Sequence, residues 1–202
     1  MSETTSRFVR RLTRRPHSDT VYNPYRSRRR ANNLLCYLEA MVALGDCPLL
    51  LVGEAPGYKG CRQTGLPFSS GRLLSEAPHP FLQQLREQLW IPSQEAENTA
   101  SMVWEALADY PGVPLFWNAF PFHPHPAGNP RGNRAPRRSE IEDGGRYLRH
   151  LVELFQPRAI AGVGRAGESC ARMLFPEREI PYLRHPSYGG KREFLAGLGK
   201  LL

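Results

Sequence analysis

The feature that most constrains this chain is a short apolar run, PLLLVG, which starts at Pro48 and leads directly into the turn GEAPG. Consecutive apolar residues without polar alternation predict a strand that is covered on both faces. Loops positioned at the end of such a strand commonly carry binding or catalytic groups. The sequence therefore predicts a central strand with part of a site at its carboxyl end.

Similar patterns recur along the rest of the chain. Further strands are predicted at VPLFWNAF, RAIAGVG and near IPYLRHP. Between them, helical spacing of apolar residues predicts helices over residues 32–44 and through FLQQLREQLW, IEDGGRYLRHLVELF, AGESCARMLF and REFLAGLGKLL. The alternation predicts an α/β fold, a three-layer α/β/α sandwich with a central, mainly parallel four-stranded sheet. Ligands of such sheets bind beyond the carboxyl ends of the strands.

Charge is distributed unevenly over the 202 residues, a length that suits one domain. The formal net charge is +8, which favours a polyanionic partner, with nucleic acid the first candidate. Residues 1–30 contain nine arginines against Glu3 and Asp19. We expect residues 1–30 to form a flexible basic arm and residues 31–202 a single domain. The arm could contact phosphates or simply be solvated.

No window approaches the roughly 18 apolar residues of a membrane span, and the N-terminus lacks the apolar core of a signal peptide. We expect a cytoplasmic monomer with no membrane partner. The four cysteines include no CxxC pair and predict neither a disulfide nor a metal site. The histidines of FPFHPHP have extended spacing and no acidic or cysteine ligand nearby, so metal binding is not predicted.

Four further motifs follow GEAPG in order: GLPF, an asparagine closing a strand in WNA, GNRAP, and HPS near the C-terminus. Over most of residues 48–194 their order and spacing resemble the uracil-DNA glycosylase superfamily. The sequence is most similar to family four, a class that normally carries an iron–sulfur cluster. Single motifs of this kind have low specificity, whereas the ordered set is a strong signal. The resemblance implies a base-excision glycosylase that flips uracil or another damaged base out of DNA and hydrolyses its glycosidic bond.

The resemblance also implies roles for individual residues. His185 would donate a hydrogen bond to the pyrimidine oxygen on which charge develops, and Glu54 would face the scissile bond or orient water. Phe68 would stack on the flipped base while the amide of Asn118 reads its Watson–Crick edge. The rest of the base pocket would be lined by Gly53, Ala55, Pro56, Gly57 and Tyr58.

For DNA binding, the resemblance implies that the loop after His185 enters the minor groove, with Tyr188 as a wedge. Phosphates or backbone would be approached by Pro186, Ser187, Lys191 and Arg192. The arginines of the long loop over residues 120–138, namely Arg131, Arg134, Arg137 and Arg138, could do the same or be solvated. Loops of this length are usually functional or disordered.

This sequence departs from the superfamily pattern in three ways. Ala55 stands where the better known members have an aspartate, which leaves the activation of water open. Gly57 stands where they have a tyrosine, so larger pyrimidines could be admitted, unless Tyr58 partly restores the wall. The four-cysteine pattern of family four is absent, and we expect no iron–sulfur cluster and no other cofactor.

Two other functions remain open. One is a uracil-DNA-binding protein of the same fold that is non-catalytic or traps DNA covalently, which the missing aspartate favours and Glu54 and His185 disfavour. The other is a nucleotide- or nucleoside-binding hydrolase, suggested by glycine-rich turns after strands. Against it, GVGRAG is too short for a dinucleotide fingerprint and no Walker lysine follows GEAPG.

Overall fold

The computed structural model describes residues 3–108, 110, 112–187 and 189–202. In chain order, the first elements are α1 (Glu3–Thr13), β1 (Val21–Tyr22), a 3₁₀ turn (Pro24–Arg26), α2 (Arg28–Ala43) and β2 (Leu49–Gly53). The middle of the chain forms α3 (Cys61–Thr64), α4 (Gly71–Glu76), α5 (Pro80–Arg86), α6 (Asn98–Ala106), β3 (Leu115–Asn118) and β4 (His123–Pro124). The last elements are α7 (Arg138–Phe155), β5 (Ala159–Val163), α8 (Gly164–Leu174), β6 (Tyr182–Leu183) and α9 (Lys191–Leu198).

Four parallel strands form the central sheet in the order β3-β2-β5-β6. Every residue of β2 is buried, as its uninterrupted apolar sequence predicted. In the register of β2 and β3, Gly53 lies opposite Asn118 at the carboxyl ends of both strands. The predicted α/β fold with a four-stranded parallel sheet and flanking helices is confirmed.

Helix α2 covers the outer edge of β3. The Tyr37 hydroxyl of α2 accepts a hydrogen bond from the backbone N–H of Phe116 at 2.7 Å, and burial raises the pKa of this tyrosine. An unpaired backbone donor of an edge strand is thereby satisfied inside the protein. The helix predicted over residues 32–44 thus closes one side of the sheet.

The segment predicted as a flexible arm is folded over the residues that the structure describes, so that expectation is corrected. On α1, Phe8 and Leu12 are fully buried, and the Phe8 ring centroid lies 5.5 Å from that of Trp117 in β3. Phe8, Val9 and Leu12 form an apolar stripe at helical spacing, while the arginines lie on the other faces. The density of arginines had concealed this stripe, which is part of the core.

The long segment between β3 and α7 is also held in place. Strand β4 pairs antiparallel with β1, and His125 donates its backbone N–H to the Thr20 carbonyl at 2.9 Å. This small two-stranded sheet was not predicted, because strands of two residues have no recognisable periodicity. It fixes the loop whose sequence allowed either order or disorder.

Helix α8 packs with unusually close backbone contact on the sheet. A Cβ atom at Gly167 would lie 2.2 Å from the Val52 carbonyl oxygen, and one at Gly162 would lie 2.2 Å from the Glu168 backbone. Only glycine permits such an approach. The glycines of GVGRAG therefore bring the N-terminus of α8 to the carboxyl end of the sheet.

No helix among the described residues is long and apolar enough to cross a membrane.

Candidate active site

A cleft of about 590 Å³ opens at the carboxyl ends of the parallel strands. Its walls come from the GEAPG turn after β2, the end of β3, the N-terminus of α8 after β5 and the loop after β6. This is where parallel α/β sheets place their ligands. Of the residues predicted for chemistry and base recognition, it brings together Glu54, Phe68, Asn118 and His185.

The GEAPG turn is fixed by the segment that follows β3. Ala119 and Phe120 donate backbone N–H groups to the carbonyls of Gly53 and Glu54 at 2.9 and 3.0 Å. The Pro56 carbonyl lies 2.8 Å from Nδ1 of the fully buried His123, which donates to it. The turn is therefore preorganised by hydrogen bonds before any ligand arrives.

Gly53, Phe68 and Asn118 interlock on one side of the cleft. A Cβ atom at Gly53 would lie 2.7 Å from Asn118 Oδ1 and 2.8 Å from the Phe68 ring, so only glycine fits between them. Asn118 is 7% exposed, which leaves its amide at the cleft surface but not free in water. An aromatic ring beside a nearly buried amide is suited to a planar base with a polar edge.

Phe68 has an uncommon backbone conformation, with φ at 50°. Left-handed backbone at a bulky residue is strained and needs support from its surroundings. The Trp104 indole N–H donates to the Phe68 carbonyl at 2.9 Å, and the Phe68 ring packs 5.2 Å from the Phe116 ring, centroid to centroid. These contacts hold the ring beside Asn118.

His185 lies on the opposite side of the cleft, packed against Gly164 at the start of α8. The Ser187 backbone N–H donates to its Nδ1 at 3.3 Å, which places the proton of the neutral ring on Nε2. Burial lowers the pKa of His185; Glu97 opposes this effect and Arg184 adds to it. At neutral pH the ring is therefore an uncharged N–H donor.

Two carboxylates line the cleft. Glu54 is exposed at its rim, and partial burial of the carboxyl group raises its pKa. Glu97 was missed from the sequence; its two carboxylate oxygens accept the N–H groups of Thr99 and Ala100 at 3.1 and 3.0 Å, capping α6. An acidic residue just before a helix is the signal that could have found it.

The N-terminus of α8 adds positive potential to the His185 side. Gly164, Arg165 and Ala166 line the cleft there, together with Arg184. The first N–H groups of a helix and its macrodipole favour negative charge. The cleft therefore combines an aromatic ring and an amide on one side with groups that favour negative charge on the other.

The uracil DNA glycosylase superfamily model matches residues 41–196 of this chain. The chain belongs to this superfamily. The structure is also similar to the crystal structure of wild-type SMUG2 from Pedobacter heparinus, with a TM-score of 0.72 and 14% sequence identity, over 100% of this chain and 99% of that one. At this identity the likeness shows the fold. A search of the curated proteins found no significant match.

Arg134, which was predicted to contact a phosphate, lines the cleft of this superfamily member, and its guanidinium is bonded within the protein. Its guanidinium bonds both oxygens of Glu140 at 2.7 Å, and also the carbonyls of Thr20, His125 and Ala135. These bonds use all five N–H donors of an arginine. Arg134 thus joins the long loop to α7 and to the segment before β1, and its contact with a phosphate stays a prediction.

Of the other residues predicted for DNA binding, Ser187 lines the cleft. Pro186 is buried, and the Ser187 hydroxyl lies 3.3 Å from that of Thr99. Lys191, at the start of α9, bonds Glu105 at 2.7 Å, whereas Arg192 is exposed. The wedge predicted at Tyr188 lies outside the described residues.

Tyr58 does not line the cleft over the part of the chain that the structure describes. Its ring instead packs on the Arg62 guanidinium, which lies 4.7 Å from the centroid of Tyr58 and 4.3 Å from that of Tyr22. A Cβ atom at Gly57 would meet nothing within 4 Å. The cleft is therefore open at Gly57, where the resemblance implies a tyrosine in the better known superfamily members.

The cysteines do not form a ligand set. Burial raises the pKa of Cys61 to about 12 and of Cys47 and Cys170 to about 11, so these thiols are poor ligands and nucleophiles at neutral pH. Among the described residues, no three His, Cys, Asp or Glu side chains are grouped to hold a metal ion. The residues present do not fit an iron–sulfur cluster.

Proposed function

We propose that this protein is a monofunctional DNA glycosylase that excises uracil and leaves an abasic site. The observation that carries the proposal is the pairing, across one cleft, of a neutral His185 N–H donor with the slot formed by Phe68 and Asn118. Membership of the superfamily supports the same class of reaction.

In the proposed mechanism a uracil nucleotide leaves the base stack and its base enters the slot. Phe68 stacks on the ring, and the Asn118 amide donates and accepts along the pyrimidine edge. As the bond between C1′ and N1 breaks, its electron pair leaves with the base and the sugar becomes an oxocarbenium ion. His185 Nε2–H donates to the oxygen that gains negative charge, which is where a preorganised donor lowers the barrier most.

Water then attacks C1′, forms the new C–O bond and loses a proton. Glu54 is the first candidate to orient this water and accept its proton, because its carboxylate lines the cleft and has a raised pKa. Glu97 is the second carboxylate within the cleft. One of them takes the place of the aspartate that is absent at Ala55.

We propose that the protein does not cut the DNA strand as a lyase. Lyase chemistry requires an amine that forms a Schiff base with the sugar, and none of the cleft-lining residues that the structure describes is a lysine. The product should therefore be an intact strand with an abasic site.

The open space at Gly57 bears on the range of bases. No side chain fills the position from which a bulky residue would reject a group at C5 of the pyrimidine. We propose that 5-substituted uracils are admitted alongside uracil.

One assay tests these proposals. Purified protein is incubated with end-labelled oligonucleotides that carry uracil, a 5-substituted uracil or cytosine, and is then treated with alkali to cut abasic sites. Cleavage of the uracil strand only after alkali, unchanged by EDTA, is the expected result. Tight uracil-dependent binding without excision would establish the binding-protein alternative. Strand cutting without alkali, or a borohydride-trapped adduct, would establish lyase chemistry.

A further inference from the structure

A second cleft, of about 340 Å³, lies between α1 and α7. Four arginines line it: Arg11, Arg14, Arg15 and Arg146. Pro16, His150 and the buried rings of Phe8 and Tyr147 complete its lining. We call this the basic cleft, and none of the chemistry proposed above uses it.

The positive charge of the basic cleft is only partly compensated. Asp143 is shared between two arginines, with one oxygen 3.0 Å from Arg15 and the other 2.8 Å from Arg146. Within the described residues, neither Arg11 nor Arg14 has a carboxylate within 4 Å. Four guanidinium groups thus face one shared carboxylate, an arrangement that favours an added anion.

Three of the four guanidinium groups, those of Arg11, Arg15 and Arg146, are also held in place. Arg11 donates to Nδ1 of His150 at 3.3 Å, while Glu153 lies 4.0 Å from the same nitrogen. Arg146 lies 4.8 Å from the centroid of the Tyr147 ring and donates to its hydroxyl. Arginines fixed in this way bind phosphate oxygens with less loss of side-chain entropy.

The basic cleft adjoins the carboxyl end of β3. The Arg15 guanidinium lies 4.7 Å from the ring centroid of Phe122 and 5.4 Å from that of Phe120. Phe120 bonds the Glu54 carbonyl, and Gly144 of α7 packs directly on the Ala119 carbonyl. The basic cleft is therefore connected to the carboxyl end of β3 through the buried rings of Phe120 and Phe122.

The cleft at the carboxyl ends of the strands, described above, is called the base cleft. From these observations we propose that the basic cleft binds phosphates of the DNA backbone outside the base cleft. The proposal rests on the proposed function only in taking DNA as the partner. Arg7, Arg11 and Arg14 are spaced four and three residues apart along one side of α1 and its end. A row of this kind matches a ligand with regularly repeated charges better than a single small anion.

Substitution is the appropriate test, because deletion of the N-terminal segment would remove the buried Phe8 and Leu12. The test variant is R11Q/R14Q/R146Q, which leaves Asp143 paired with Arg15. The matched control is R72Q/R86Q/R158Q, which removes the same charge from exposed arginines outside both clefts. Thermal unfolding of both variants confirms that they are folded.

Binding is measured by anisotropy on a labelled duplex without uracil, at salt concentrations from about 50 to 200 mM. The test variant should bind on the order of tenfold more weakly than the control, and its log–log salt slope should be smaller by about two to three. Equal affinity and slope in the two variants would overturn the proposal, as would wild-type protein that does not bind this duplex.

Two further measurements separate the possible outcomes. Single-turnover uracil excision at saturating protein should be unchanged in the test variant; a sharp fall would give the cleft a role in chemistry and overturn the assignment. Polyglutamate should compete poorly with DNA, and equal competition at equal charge would identify a site for acidic proteins instead. Absence of excision by the wild type with salt-dependent binding intact would refute the proposed function and leave this inference standing.

Discussion

The two sides of the base cleft are built in different ways. The recognition wall is formed by Gly53, Phe68 and Asn118. These residues pack so closely that no Cβ atom fits at Gly53. The electrostatic wall, formed by Gly164, Arg165 and His185, consists of a helix N-terminus and an imidazole oriented by one hydrogen bond. Selection of a base needs shape, whereas stabilisation of a leaving anion needs oriented dipoles. Substitutions on the two walls should therefore fail differently.

The largest effect is expected on the electrostatic wall. His185→Ala removes the donor to the developing anion, and single-turnover excision should fall by about 10²- to 10³-fold. Binding of uracil-containing DNA should persist, because the recognition wall is unchanged. A rate within about threefold of wild type would be too small a loss for a missing oxyanion donor and would refute the role of His185.

Gly53→Ala should damage the recognition wall without removing any functional group. The new methyl group would collide with Asn118 and Phe68, and misplacement of this order costs on the order of 10²-fold in rate. Gly57→Ala, in the same turn, is the matched control because its methyl group meets open space. Equal single-turnover rates for the two variants would show that interlocking is unimportant.

Asn118→Ala should alter selectivity more than rate. Loss of a bidentate contact to a base costs about 1–3 kcal/mol of discrimination, so the preference for uracil over cytosine should fall by roughly 5- to 150-fold. His185→Ala serves as the comparison, since its rate loss should leave this ratio nearly unchanged. The measurement is single-turnover excision on both substrates, and an unaltered ratio for Asn118→Ala would contradict its role in recognition.

The smallest expected effect is a change in stability with pH at His123, which donates a hydrogen bond to the Pro56 carbonyl of the GEAPG turn. Burial lowers its pKa from the ordinary 6.5, and nearby Arg62 and His125 act in the same direction, opposed by the carbonyls of Pro56 and Pro130. The unfolded chain therefore takes up a proton more readily, and the free energy of unfolding should fall as pH drops below about 6.5.

His123→Asn keeps an N–H donor for the Pro56 carbonyl but cannot titrate. Between about pH 7.5 and 5.5 its Tm should fall less than that of the wild type. His17 and His185 also have lowered pKa values and remain in both proteins, so they cancel in the comparison. Parallel decreases in Tm would exclude His123 as a source of acid sensitivity.

The sheet could be predicted from the sequence because each strand is indicated by residues within its own short segment. Uninterrupted apolar residues from Leu49 to Val52 indicate a buried strand wherever they occur, and the ordered motifs place Asn118 and His185 at strand ends. The structure then adds geometry, such as the proton on Nε2 of His185, which depends on the backbone of Ser187.

What could not be predicted depends on contacts between distant segments. From the sequence, Arg134 is one of several basic residues in a long loop. Only the structure shows that it bonds Glu140 and the Thr20 carbonyl. The arginines of α1 similarly conceal Phe8 and Leu12, whose burial requires β3 and α7 as neighbours. In both cases the sequence showed that the segment is basic. Which residues are buried and which arginines are bonded inside the protein was determined by tertiary packing.

The left-handed backbone of Phe68 has a consequence for the timing of catalysis. The free energy of that conformation, of the order of 1–3 kcal/mol, is expended when the chain folds and not each time DNA is bound. In the proposed mechanism, an extrahelical base would therefore meet a ring that is already in place. With such a preformed ring, the rate at which the slot captures a base should follow the rate at which the base pair opens.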